Sequence, residues 1–117
     1  MALKKGLRRL TTPIEELDRQ DLCGFCDALG VTPTTDIVPR TQVRLGGEVR
    51  SVRVVPRAGA PALEVTLSDG RGTATAVFLG RRKILGLTPG RKMTMEGVAS
   101  RQANRYLIFN PTYTLIP

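Results

Sequence analysis

The sequence predicts a mainly β fold, a small five-stranded barrel preceded by one α-helix. Three observations predict it. Helical spacing over residues 12–30 gives way to period-two alternation from Gln42 onward. The first alternating segment is long and carries Gly46-Gly47 inside it, so one strand can bend and serve both halves of a barrel. The chain has 117 residues, enough for a single core without a second lobe.

Thr12 is a good N-cap, Pro13 suits the first helical position, and Glu15 completes a T-x-x-E capping box. Acidic Glu15, Glu16 and Asp18 complement the helix dipole. Ile14, Leu17, Leu22, Phe25, Ala28 and Leu29 form one apolar stripe, and Gly30 with Pro33 marks the stop. Such a stripe needs a surface to cover it, either the β region or a partner. Residues 1–11 read as a mobile basic start. Residues 31–41, with two prolines and several threonines, read as an extended linker. The chain therefore divides into an arm, 1–40, and a β domain, 41–117.

The first strand runs over about 42–55, with its alternation slipping between Val49 and Val52, the sign of a bulge near Ser51. Residues 56–61 (PRAGAP) form a loop. Leu63–Ser68 is the second strand, and Asp69-Gly70 followed by Arg71-Gly72 signals a hairpin into the third, Thr73–Leu79. Arg81–Leu87 is a short helix candidate ended by Pro89-Gly90. Lys92–Ala99 and Tyr106–Phe109 complete five strands, and Pro111 begins an extended tail. The order β-β-β-α-β-β with a bent first strand is that of an OB-fold barrel.

Four stretches carry a family resemblance: GEVRSVRV (47–54), LEVTLSDGRGTATAVFLG (63–80), LTPGRKMTMEG (87–97) and YLIFNPTY (106–113). With them, residues 47–113 resemble the OB-fold family that includes the wedge domain of RecG-type branch-migration helicases and the anticodon-binding OB domains. Taken whole, with IEEL at 14–17, the chain is similar to small stand-alone actinobacterial OB-fold proteins described as nucleic-acid-binding. The resemblance implies an OB-fold and a nucleic-acid-binding role, on a fold that elsewhere also binds peptides and sugars. The helicase motor is missing, because no G-x-x-x-x-G-K-[ST] motif is present. Small Ala74 and Ala76 stand where the family often has bulky residues, which leads us to expect the front helix to fill that part of the core.

Charge locates the expected partner. The net charge is +8, yet residues 1–40 balance six basic against six acidic side chains. The excess belongs to 41–117, with twelve basic and four acidic residues. Such a block favours a polyanion. OB-folds bind along the second and third strands, bordered by the 1–2, 3–α and 4–5 loops. Those loops carry Arg57, then Arg81, Arg82 and Lys83, then Arg101 and Arg105, while Arg44, Arg50 and Arg53 face outward on the first strand. Tyr106 and Phe109 sit on opposite faces of the fifth strand and are the candidate stacking rings. With five aromatics in the whole chain, binding should be electrostatic, modest and tolerant of sequence.

The chain contains no histidine, which excludes Ser-His-Asp and Cys-His catalysis and His-containing metal sites within one chain. The carboxylates of the β region are scattered, so no acid/base pair suggests an enzyme. Cys23-Gly-Phe-Cys26 could be a redox pair, half of a zinc site shared across a dimer, or helix packing. Its mid-helix place among acidic neighbours favours packing. No cofactor is implied. No stretch reaches the roughly 20 apolar residues that cross a bilayer, and the start has no signal-peptide core, so a cytoplasmic location is expected. The expectation is a non-enzymatic binder of single-stranded or branched DNA, with single-stranded DNA favoured as partner and RNA admitted. The alternatives are a module docking on an acidic protein partner, aided by the front helix, and a protein held at a membrane surface by its basic start, which is too poor in bulky apolar residues to anchor well.

Overall fold

The computed structural model describes residues 13–117; Thr12, and with it half of the expected capping box, and the basic start lie outside them. Helix α1 spans Pro13–Leu29, and six strands follow: β1 (Gln42–Arg57), β2 (Ala60–Ser68), β3 (Thr73–Leu79), β4 (Lys92–Gln102), β5 (Arg105–Phe109) and β6 (Thr112–Ile116).

β1 is the hub. Its first half pairs antiparallel with β4, from Gln42↔Val98 to Glu48↔Lys92. Its second half pairs antiparallel with β2, from Glu48↔Ser68 to Arg57↔Ala60. The partner changes at Gly46-Gly47-Glu48, where the sequence has no Cβ at two successive positions. The register slips between Val49 and Ser51, at the expected bulge. β2 pairs with β3, β3 runs parallel to β5, and β5 pairs with β4, so the pairings return to β1 and make a ring.

The ring encloses a core of Leu45, Val49, Leu63, Val65, Leu67, Phe78, Met93, Met95 and Ile108, all buried. These are the inward members of the period-two patterns. Ala74 and Ala76 are buried in the same cluster, together with Ile84 and Leu87. α1 does not fill this space as expected; its buried residues belong to a separate cluster. The expected helix at Arg81–Leu87 is also absent. Gly80 and Gly86 both take left-handed φ (74° and 87°), which breaks a seven-residue helix at its start and near its end. The segment serves as a loop that drops Ile84 and Leu87 into the ring.

Two further expectations change. The 56–61 loop shrinks to Ala58-Gly59, both at positive φ (49° and 79°), the geometry of a tight hairpin turn. The tail after Pro111 forms β6, paired with Lys92–Glu96 of β4. Tyr113 meets Phe78 edge-on at 5.6 Å, and Leu115 packs on the core.

α1 buries only the C-terminal half of its stripe. Leu22, Cys26 and Val31 are buried with Phe25 and Leu29 against them, whereas Ile14 and Leu17 are 73% and 55% exposed. The Cys26 thiol donates to the Gly46 carbonyl (3.4 Å). Burial, aided by the charge of Asp69, pushes its pKa up to about 11. Cys26 is thus a packed, poorly ionised thiol at the seam between α1 and β1.

Residues 31–41 are a folded strap rather than an extended linker. Thr32 donates its N–H to the Arg44 carbonyl (2.8 Å), a 3-10 turn spans Thr34–Asp36, and Ile37 enters the main core. Asp69, only 1% exposed, holds the strap. It accepts from Thr34 N (2.8 Å), Thr34 Oγ1 (2.8 Å), Arg71 N (2.9 Å) and Gly72 N (3.0 Å). Burial alone would raise its pKa, but the hydrogen bonds from Thr34, Arg71 and Gly72 outweigh it and hold the carboxyl below its ordinary 3.8. Its charge therefore stabilises the fold above pH 3.8, and that contribution is lost as pH falls through the lower folded value. In urea titrations across pH, Asp69→Asn is expected to be less stable than the parent at pH 7 and to lose less stability below pH 3.8. Parallel pH curves for the two proteins would show that Asp69 has no such role.

Candidate nucleic-acid interface

Outward positions of β1, β2, β3 and β5 build one face. On β2 these are Ala62, Glu64 and Thr66, opposite Val55, Arg53 and Ser51 of β1 and Leu79, Val77 and Thr75 of β3. Ala62, Val77 and Leu107 form a small buried cluster there, with Phe109 packed against it. Glu64 sits beside this apolar patch and is only 3% exposed. A buried carboxylate needs partners, and three arginines supply them. Arg105 Nη2 lies 2.9 Å and Arg53 Nη2 3.5 Å from Oε1, and Arg57 Nη2 lies 3.4 Å from Oε2. Burial pushes the Glu64 carboxyl up, but hydrogen bonds and charge from Arg105, then Arg57, bring it below its ordinary 4.5. Glu64 stays ionised and gathers the three guanidiniums, leaving that group with two net positive charges.

Arg57 is further fixed by Phe109, whose ring centroid lies 5.3 Å from its guanidinium carbon. Arg57 Nε is buried without an acceptor among the described residues. Next to the cluster lies a cleft of about 430 Å³. The strands line it with the hydroxyls of Ser51, Thr66, Thr73 and Thr75, and the β4–β5 turn adds Asn104. Arg105 and Tyr106 enter from the start of β5, where Arg105 lies on the strand and not on the expected loop. Thr66 and Thr75 Oγ1 are 3.4 Å apart. Ala103 at positive φ (54°) lets that turn close in two residues.

Of the arginines expected to bind, the structure brings Arg53, Arg57 and Arg105 together. Arg101 lies opposite Tyr106 and stands 5.9 Å over its ring. Tyr106 itself is half-buried and packs on the main core. Arg81, Arg82 and Lys83 are exposed on the loop after β3. That loop leaves the sheet beside the β1–β2 turn, where Gly80 N–H donates to the Pro61 carbonyl (2.8 Å). None of the three forms an ion pair among the described residues.

Arg44 and Arg50 do not join. Arg44 faces Glu96 at 3.6 Å on the β1–β4 side. Arg50 lines two clefts on the α1 side with Glu15, Asp18, Asp21 and Glu48 but also with Arg19 and Lys92, and it forms no ion pair among the described residues. Lys92 is turned onto the Phe25 ring (4.7 Å) at the α1 contact. Glu64 and the hydroxyl-lined cleft were not anticipated. Their signal was the hairpin register, since a turn centred on 58–59 places Glu64 opposite Arg53.

Among the described residues no cluster of three or more Cys, Asp or Glu side chains could hold a metal ion, and no helix is long and apolar enough to cross a membrane. No family model matches the chain, and no curated protein matches it in sequence. A solved structure of RecG bound to a three-way DNA junction matches in fold, with a TM-score of 0.61 and 22% sequence identity. The match covers 71% of this chain and 12% of the RecG chain, so this chain is similar in fold to a small part of that protein.

Proposed function

We propose that this chain is a non-enzymatic nucleic-acid-binding module of the OB-fold type, holding a DNA strand against the outer face of β1, β2, β3 and β5. The observation that carries this is the convergence of Arg53, Arg57 and Arg105 on one buried carboxylate beside an open polar cleft. Guanidiniums fixed in this way keep their remaining N–H groups for phosphate oxygens and lose little freedom on binding. Arg81, Arg82 and Lys83 extend the positive surface past the β1–β2 turn. The fold neighbour was solved on a three-way DNA junction, which supports a nucleic-acid partner; we propose single-stranded or branched DNA as that partner, with RNA admitted.

Fluorescence anisotropy with labelled single-stranded, duplex and three-way-junction DNA tests the proposal. Neutralising three phosphates implies a loss of about 20-fold in affinity for a single strand, and about 40-fold for a duplex, between 50 and 200 mM salt. Salt-independent binding would contradict the arginine face. A protein-interaction module is the alternative, favoured by the exposed Ile14 and Leu17 on α1. Absence of binding to all three DNAs and to single-stranded RNA at low salt would decide for it.

A further inference from the structure

We infer that the cleft beside Glu64 reads the sugar–phosphate backbone and leaves the bases unread, a reading that rests on the proposed nucleic-acid function. A single-strand binder of the usual kind offers free aromatic faces, each worth roughly tenfold or more in affinity per stacked base. Both candidate rings here are occupied. Phe109 packs on Ala62, Val77 and Leu107 and lies under the Arg57 guanidinium. Tyr106 packs on the main core and lies under Arg101.

What the cleft offers instead is a set of polar groups. Ser51, Thr66, Thr73 and Thr75 present hydroxyls, which donate and accept, and Asn104 adds an amide. These suit sugar oxygens and phosphodiester oxygens; Tyr106, which also lines the cleft, has its ring held between the main core and Arg101. Arg53 and Arg105 stand at the cleft with their Nη2 atoms on the same Glu64 oxygen, so two guanidiniums sit within two hydrogen-bond lengths of each other. That is a phosphate clamp set beside a sugar-binding surface. The chemistry is shared by a nucleic-acid strand and by a free sugar phosphate; the positive charge continuing over Arg81, Arg82 and Lys83 favours the strand, which can span both.

The test compares a base-bearing deoxyribose strand with an abasic strand of equal length, by anisotropy at low salt, with deoxyribose 5-phosphate as competitor. The expected result is equal affinity for the two strands within about threefold, with the free sugar phosphate failing to displace either at strand-like concentrations. The variant T66V/T75V removes two facing hydroxyls together and leaves neither partner stranded. It is expected to weaken both strands about tenfold while unfolding in urea as the parent does. Loss of the abasic strand by more than about tenfold, with the base-bearing strand still bound, overturns backbone reading alone. Displacement by the free sugar phosphate at strand-like concentrations overturns the polymer as occupant. Unchanged affinity in T66V/T75V removes the cleft from the contact. If the parent binds neither strand, the proposed function itself fails.

Discussion

Gly47→Ala is expected to cost about 3–5 kcal/mol of folding stability, enough to leave much of the protein unfolded at 37 °C. A Cβ built at Gly47 falls on the carbonyl oxygen of Ser68 and 2.7 Å from its carbon. Both are backbone atoms of β2, so no rotamer change relieves the clash. The strand would have to move away from β2 at the point where β1 changes partners, which pulls Asp69 and the strap with it. Gly46→Ala supplies the contrast. Its Cβ would lie 3.2 Å from Leu29 Cδ1 and 3.2 Å from Val31 Cγ2, side-chain atoms that can give way. A loss of about 1 kcal/mol is expected there. Urea denaturation of the two variants checks the pair, and a Gly47→Ala protein as stable as the parent would show that the β1 bend tolerates a side chain.

The second large effect concerns binding. Replacing Arg53, Arg57 and Arg105 by Gln, together with Glu64→Gln so that no unpaired charge is left buried, should weaken DNA binding about 100-fold and lower the salt slope by about 3. The fourth substitution matters, because stripping the arginines alone would strand a carboxylate that is 3% exposed and confuse unfolding with lost contact. Arg44→Gln with Arg50→Gln, which removes two positive charges elsewhere, should cost less than about fivefold, since Arg44 already faces Glu96 and Arg50 lies on the α1 side, outside the Glu64 group. Equal losses in the two sets would mean that net charge alone governs binding.

The parts of the fold that follow from local chemistry were legible in the sequence. Alternation marked Thr73–Leu79 to the residue, the Val49–Val52 slip marked the bulge, and the helical stripe marked α1 within a residue at each end. What the sequence hid depends on contacts between distant residues. Arg81–Leu87 has a composition that allows a helix, yet Ile84 and Leu87 are drawn into a ring interior left roomy by Ala74 and Ala76. Thr112–Ile116 alternates too weakly to announce a strand, and only the free edge of β4 beyond β5 makes it one. Asp69 looked like a turn residue; its second task, holding Thr34, spans thirty-five positions. At the candidate site, charge counting found the arginines but weighed them alike. Separating Arg53, Arg57 and Arg105 from Arg44 and Arg50 required knowing where Glu64, Glu96 and the α1 carboxylates lie.

The divided loyalty of β1 also fixes an order of assembly. Its second half meets β2 across a two-residue turn, so β1, β2 and β3 can zip together as soon as residue 79 has left the ribosome. Its first half has no partner until β4 emerges, and β3 waits for β5, a parallel neighbour that no hairpin can deliver. During synthesis Val43 and Leu45 therefore stand on an open, sticky edge, and closure is governed by long-range pairing, the slow class of folding step, in milliseconds to seconds. The protein is most exposed to misassembly after β3 has emerged and before β4 and β5 follow, because those two strands seal the ring.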